Sequence, residues 1–152
     1  YPQPEHNFDI VSCIGATWIG NGLTGTLQLM EQALKSDGLM LVGEPFWHDS
    51  PPDAAYDMMG TGKDEFKSLE GTLDRIESAG FELVEMVLAN HEGWDRYMGP
   101  QWMAVDDFLR QNPDFADASE LRDWNNNGRR SYLKYGRKYL GWGVFVLRKT
   151  VV

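Results

Sequence analysis

Two short apolar runs on either side of one amphipathic segment constrain the fold of this chain more than any other feature. Residues 8–13 are apolar and β-branched, and 39–42 form a second, continuous apolar run. Between them, apolar residues recur at helical spacing over 23–34, and Asp37-Gly38 supplies a stop signal. Continuous apolar strands are typical of parallel sheets that are covered on both faces. The three elements therefore predict one β-α-β unit.

Strands and helices continue to alternate along the rest of the chain. The segment from Phe66 to Ile76 predicts a helix that ends at Gly80, and 81–88 predicts a third strand. Residues 93–140 have mostly helical character, and 142–147 predict a fourth buried strand. Strands that alternate with helices indicate an α/β layer fold.

Glycine, proline and asparagine mark the predicted interruptions. The glycine-rich stretch 14–25 predicts a loop, and Pro45, Pro51 and Pro52 predict a long one. Asn125-Asn126-Asn127-Gly128 predicts a break between two helical stretches.

Length and charge exclude several classes of protein. At 152 residues the chain is one domain long, and its net charge of -9 argues against nucleic acid as a partner. No apolar run approaches the roughly 20 residues that a membrane-spanning helix needs. The single Cys13 cannot form an internal disulfide, which favours a reducing cytoplasm. The chain begins without methionine, and we expect residues upstream of it.

Two familiar motifs are incomplete in this sequence. Gly20 to Gly25 matches G-x-G-x-x-G, and Glu44 ends the following strand, which leaves a nicotinamide-dependent oxidoreductase as one alternative. The dinucleotide fingerprint needs its first glycine at the strand end, however, and here Ile14 to Ile19 intervene, so a flexible glycine loop is the favoured interpretation. No histidine pair shows the helical spacing of metal ligands, and we expect no metal site.

The carboxyl ends of the predicted strands locate the candidate site. Open α/β sheets bind ligands at that edge, where Cys13-Ile14-Gly15, Gly43 to Trp47 and Asn90 to Glu92 are expected to lie. If the chemistry needs a base, Glu44 and His91 are the candidates. The helical segment 93–140 leaves from the same edge and is predicted to act as a lid. It would present three aromatic residues to the cleft: Trp94, Tyr97 and Trp102.

An ordered set of segments resembles the small-molecule class I S-adenosylmethionine-dependent methyltransferases. Phe8 to Val11 followed by Ile14 to Trp18 resembles their fourth strand and its loop, and Leu34 to Gly38 resembles their L-K-P-G-G turn. Three more segments are similar to a bacterial subgroup of the family: Gly43 to Trp47, Trp94 to Tyr97 and Gly141 to Phe145. The resemblance covers about residues 7–149.

The resemblance implies a seven-stranded Rossmann-like sheet in the order 3-2-1-4-5-7-6. This chain would be its carboxy-terminal half, strands 4-5-7-6, with a helical lid inserted before the last strand. Residues 1–152 would form a single partial domain, with 7–92 and 141–149 as the sheet core and 93–140 as the lid. The glycine-rich cofactor loop would lie in a missing amino-terminal half, which is then the partner of this chain.

The resemblance also implies an activity, the transfer of a methyl group from S-adenosylmethionine to a small-molecule acceptor. Cys13, Ile14 and Gly15 would approach the methionine part of the cofactor. Trp18 would face the substrate, and Trp47 stands at the same edge. The isolated chain is expected to be inactive. A non-catalytic docking module that keeps half the fold is a further alternative.

Overall fold

A four-stranded mixed sheet organises the part of the chain that the computed structural model describes, residues 7–151. Its strands are β1 (Phe8–Ile14), β2 (Leu34–Trp47), β3 (Phe81–Leu88) and β4 (Leu140–Lys149). They lie in the order β1-β2-β4-β3, with β1 parallel to β2 and β3 antiparallel to β4. The predicted mixed α/β class is confirmed.

Helices occupy the connections between the strands. A 3-10 turn (Thr17–Gly20) and α1 (Leu23–Glu31) connect β1 to β2, and α2 (Asp53–Met59) and α3 (Leu69–Ser78) connect β2 to β3. Between β3 and β4 lie α4, α5, a π-helical turn and α6, with these bounds: His91–Gln111, Ala118–Ser131, Tyr132–Gly136 and Arg137–Tyr139. Among the described residues, no helix is both long and apolar enough to cross a membrane.

The described residues divide into two compact units. The sheet unit comprises 7–48, Asp64–Leu88 and 141–151, and the helical unit comprises Asp49–Lys63 and Ala89–Leu140. The helical unit therefore contains α2 in addition to the residues predicted to form the helical insertion. Whether 93–140 acts as a lid stays a prediction.

The core of the sheet unit is formed by β2 and β4 with α1 and α3. Alternate residues of β4 are buried, and Met40, Val42 and Phe46 of β2 are fully buried. Leu27 of α1 and Ile76 of α3 are also inaccessible to solvent. Within the apolar run at 39–42, Met40 and Val42 are fully buried and Leu39 and Leu41 are partly buried, so one face of β2 is more completely covered there than the other.

The predicted turn at Leu34 to Gly38 is wrong in one respect, because these residues belong to β2. Phe8 pairs with Leu34 and Ile10 pairs with Leu39, so the intervening residues of β2 bulge out of the ladder. A bulge of this kind lets a strand carry a glycine without ending the sheet. The ion pair between Lys35 and Asp9, at 2.8 Å, lies at the same place.

Three predicted interruptions also differ from the structure. The predicted break at Asn125 to Gly128 is wrong, since α5 passes through it. The predicted loop at 14–25 contains the 3-10 turn and the first residues of α1. The predicted loop at the three prolines is shorter than expected, because Pro45 lies within β2, and Pro51 and Pro52 lie between the end of β2 at Trp47 and the start of α2 at Asp53. At 125–128 and 14–25, tertiary packing outweighs the weak local helix preference of Asn and Gly.

Candidate active site

A cavity of about 560 Å³ lies in the sheet unit, at the carboxyl ends of β1 and β2. Its aromatic lining consists of Trp18, Phe66 and Trp142. Its charged lining consists of Glu44, Asp64, Glu65 and Arg75. Parallel strands end here, so the cavity lies at the edge where open α/β sheets bind their ligands.

Glu44 is the buried carboxyl group of this cavity, with only 3% of its surface exposed. Thr17 Oγ1 donates a hydrogen bond of 2.6 Å to its Oε2. Burial raises the pKa of Glu44, and the hydrogen bond from Thr17 and the charge of Arg75 lower it by less. Such a group is poised to take up or release a proton closer to neutrality than an exposed glutamate.

Thr17 is held in place by contacts between its 3-10 turn and α1. Thr26 Oγ1 donates to the carbonyl oxygen of Thr17 at 2.6 Å and accepts from the amide of Gly20 at 3.2 Å. A Cβ at either Gly20 or Gly25 would overlap the backbone of the facing segment. These glycines allow the turn to pack against α1, and Gly25 is itself helical. The G-x-G-x-x-G match therefore has a packing explanation.

Trp142 forms one wall of the cavity by lying across two glycines. Gly15 has φ of +71°, and a Cβ there would stand 3.3 Å from Trp142 Cη2. A Cβ at Gly43 would stand 2.8 Å from Trp142 Cζ2 and 3.0 Å from Ile14 Cγ2. Glycine at the two strand ends thus makes room for the indole ring.

Arg75 reaches the cavity from α3. Its Nη2 donates to the carbonyl oxygen of Asp64 at 2.8 Å, and its Nη1 donates to that of Glu65 at 3.1 Å. The side chain of Asp64 accepts from Lys67 Nζ at 2.6 Å. Backbone carbonyls therefore hold the guanidinium group against the loop that precedes α3.

The predicted cofactor-binding residues occupy three different environments. Gly15 lines the cavity. Cys13 is buried in the core, where desolvation raises its thiol pKa, and the Ile14 side chain is 53% exposed. A thiol with a raised pKa is a poor nucleophile, so Cys13 packs the strand end that supports Gly15. Cofactor binding by these residues stays a prediction.

The two predicted substrate-binding tryptophans of the sheet unit also differ. Trp18 is 77% exposed and lines the cavity. Trp47 is buried, and its ring centroid lies 5.6 Å from that of Phe66. Trp47 therefore supports a lining residue from behind.

The remaining predicted residues belong to the helical unit. His91 is the first residue of α4, where the Asn90 side chain caps the helix by accepting from the Gly93 amide at 2.8 Å. The rings of Trp94 and Trp102 both pack against Tyr132, at centroid separations of 6.5 and 5.7 Å, and Tyr97 packs against Trp94 at 6.0 Å. The structure thus gathers Trp94, Tyr97 and Trp102 into one aromatic cluster. Their role toward a substrate stays a prediction, as does that of His91.

Several lining residues were not candidates from the sequence, among them Thr17, Phe66, Arg75 and Trp142. Trp142 carried one readable signal, a large ring between two glycines at the start of a strand. Arg75 and Phe66 had none, because their approach to Glu44 depends on how α3 and its preceding loop pack.

No family model matches the chain, but individual proteins of similar sequence and fold do. The chain is 40% identical over 141 residues to the uncharacterised protein YjhP of Escherichia coli K12, covering 91% of this chain and 57% of that protein. A methyltransferase of Geobacter sulfurreducens, solved with S-adenosyl-L-homocysteine, superposes with a TM-score of 0.91 at 36% identity, covering 97% of this chain and 60% of that one. A Thiobacillus denitrificans methyltransferase, solved with the same compound, gives 0.90 at 35%, with the same coverage of both chains.

The chain spans about three fifths of the length of these relatives. Neither the dinucleotide-dependent oxidoreductase nor the docking module finds support among the relatives. The similarity extends over nearly all of the chain and combines sequence with fold. The expected resemblance is confirmed: this chain is similar in sequence and in fold to the class I S-adenosylmethionine-dependent methyltransferases.

Proposed function

We propose that the chain takes part in transferring a methyl group from S-adenosylmethionine to a small-molecule acceptor, with the 560 Å³ cavity as the active site. The observation that carries this proposal is the place of the cavity. It lies at the carboxyl ends of β1 and β2, in a chain that superposes on a methyltransferase solved with S-adenosyl-L-homocysteine at a TM-score of 0.91.

The residues present fit one part of that cofactor. Gly15 has no side chain where the cavity meets the end of β1, so a ligand can approach the backbone closely. Trp18 and Trp142 offer aromatic faces, which attract cations such as a sulfonium. When bound, S-adenosylmethionine supplies an electrophilic methyl group on a good leaving group. The residues of this chain then have to bind the acceptor, orient it and exclude water.

Glu44 is the residue we propose to hold the proton of the acceptor. Its burial and the 2.6 Å hydrogen bond from Thr17 fix the carboxyl group at one place in the cavity. His91 is a second candidate base. We propose that the segment 93–140 covers the bound acceptor, with Trp94, Tyr97 and Trp102 facing it.

We further propose that an amino-terminal half of the same domain completes the sheet at β1 and supplies the glycine-rich cofactor loop. Within the described residues, β1 pairs only with β2, and its side chains Phe8, Ile10 and Ile14 are 47%, 58% and 53% exposed. An apolar strand edge of this kind is a template for another strand. Sequencing the coding DNA should reveal an in-frame strand and G-x-G loop upstream of Tyr1. A start codon immediately upstream of Tyr1 would contradict this.

Binding of S-adenosyl-L-homocysteine tests the proposed active site. The protein expressed from its full reading frame should bind this compound in calorimetry. The Gly15→Val variant should bind it at least about 10-fold more weakly, a loss of about 1.4 kcal/mol, because the added side chain occupies space in the lining of the cavity. Gly60→Val is the matched control, because Gly60 also has a positive φ, of +67°, and nothing lies within 4 Å of a Cβ there. Circular dichroism checks that both variants are folded. Unchanged affinity in Gly15→Val would contradict the proposed site.

A further inference from the structure

Glu44 is the one buried charged group among the described residues that line the cavity. Asp64 and Glu65 also line it but are exposed, and Asp64 pairs with Lys67 at 2.6 Å. Both terminal nitrogens of Arg75 already donate to backbone carbonyl oxygens, at 2.8 and 3.1 Å. These bonds hold the guanidinium group in place without cancelling its charge, so the attraction for a cation comes from the carboxylate of Glu44 itself.

One oxygen of Glu44 remains available to a ligand. Oε2 accepts from Thr17 at 2.6 Å, whereas no residue in the range 7–151 donates a hydrogen bond to Oε1. A carboxylate oxygen that has no donor within the protein accepts from solvent or from a ligand. The matching ligand group is a hydrogen-bond donor, and a positively charged donor forms the strongest such bond.

The walls of the cavity suit a cation with an organic body. Trp18, Phe66 and Trp142 provide aromatic surface, and the Trp18 side chain is 77% exposed. Aromatic faces attract ammonium groups, most strongly where water is excluded. An anionic acceptor would instead meet the buried carboxyl group of Glu44.

We propose that the acceptor is a small organic amine, which enters as an ammonium ion and pairs with Glu44 through Oε1. This inference rests on the proposed function and names its substrate class. Desolvation raises the pKa of the carboxyl group and lowers that of the ammonium group, so the two approach each other in the cavity. That convergence allows the proton to move from nitrogen to Oε1.

The step balances in atoms and charge. The ammonium N–H bond breaks and its proton passes to Oε1 of Glu44, which leaves a lone pair on the nitrogen. The lone pair forms the new N–C bond to the methyl carbon, and the C–S bond breaks with its electron pair going to sulfur. The products are a methylated ammonium ion, S-adenosylhomocysteine and a carboxylate at Glu44, once the neutral carboxylic acid has returned its proton to solvent.

Calorimetry with three probes of one shape tests the proposal. Benzylamine, benzyl alcohol and benzoate are titrated into the full reading-frame protein, with and without saturating S-adenosyl-L-homocysteine. Benzylamine should bind at least about 10-fold more tightly than the alcohol, since the hydrogen bond is charge-assisted. Glu44→Gln should weaken benzylamine binding by about 10- to 100-fold and leave the alcohol unchanged. Glu85→Gln removes an exposed charge outside the cavity and should change neither.

The pH dependence of binding provides a second readout. Protonation of Glu44 removes the partner of the ammonium ion, so benzylamine affinity should fall as pH is lowered through the raised pKa of Glu44. Aliphatic ammonium groups titrate near about 10, so the probe stays charged over this range. The other charged or titratable groups around Glu44 are Cys13, Asp64, Glu65 and Arg75. Glu44→Gln should abolish the dependence, and Thr17→Val should move its midpoint upward, because the Thr17 hydrogen bond lowers that pKa.

Two results would overturn the amine proposal. One is benzyl alcohol or benzoate binding as tightly as benzylamine, and the other is Glu44→Gln leaving benzylamine affinity unchanged. If S-adenosyl-L-homocysteine still binds in these cases, the methyl-transfer proposal stands and only the substrate class is wrong. If the unaltered protein does not bind S-adenosyl-L-homocysteine, the proposed function itself is wrong.

Discussion

Replacing Phe46 with alanine should lower the free energy of unfolding by about 3–5 kcal/mol, the range for a buried phenylalanine. The side chain has no exposed surface and belongs to the core cluster of the sheet unit. Deleting its ring removes apolar area from the core and leaves a cavity that the surrounding strands fill only partly. Urea unfolding followed by circular dichroism measures the change from the midpoint and slope.

The matched control for this change is another large aromatic residue of the same unit. Trp18 is 77% exposed, and Trp18→Ala should change the free energy of unfolding by less than about 0.5 kcal/mol. Equal losses in the two variants would mean that Phe46 is not a core residue. The pair therefore separates burial from the loss of aromatic area as such.

Replacing Gly141 with alanine should destabilise the protein by about 1–3 kcal/mol, the usual cost of adding a methyl group to a filled core. A Cβ at this position would overlap the ring of Phe46, on the neighbouring strand β2. The Phe46 ring is fully buried, so it has little room to move away. The same urea titration measures the effect.

A double variant shows whether Phe46 is the cause. Phe46→Leu shortens the side chain, so Gly141→Ala should cost less in that background than in the unaltered protein. For two residues in direct contact, the changes in the free energy of unfolding are expected to depart from additivity by about 0.5 kcal/mol or more. Additive losses would show that the alanine is excluded by something other than the ring.

The elements with strong hydrophobic patterns were predicted well from sequence. The third strand was predicted over 81–88, and β3 spans Phe81–Leu88. Apolar and polar residues alternate and then give way to an apolar run, with Gly80 just before them, and this pattern favours a strand. The helix predicted to end at Gly80 ends at Ser78, within the usual uncertainty of a helix boundary. In these segments local preference and burial agree.

The prediction failed where local preference and tertiary context disagree. Asn125 to Gly128 have weak helix propensity, yet α5 continues through them, and Asn125 is buried with its amide donating to the carbonyl oxygen of Trp102 at 3.3 Å. Leu34 to Gly38 read as a turn, yet pairing with β1 draws them into β2. A partner distant in sequence supplied the deciding contact in both cases.

For the candidate site, the order of elements along the chain was enough to locate its edge but not its complete lining. Glu44, Gly15 and Trp18 follow predicted strands directly, and all three line the cavity. Thr17 and Arg75 also line the cavity. Thr17 is 27 residues away in sequence from its hydrogen-bond partner Glu44, and Arg75 lies on α3 rather than on β2. Sequence periodicity does not predict contacts between residues this far apart.

The sequence by itself determined the α/β class, the strands at 81–88 and 142–147, and the strand-end edge at which the cavity lies. Apolar periodicity and the geometry of parallel strands act locally, so each segment carries its own evidence. Only the tertiary structure decided that Trp142 covers Gly15 and Gly43, and that one carboxyl oxygen of Glu44 is bonded to Thr17. These features arise from packing between distant segments, and their energies depend on distances that are set when the sheet forms.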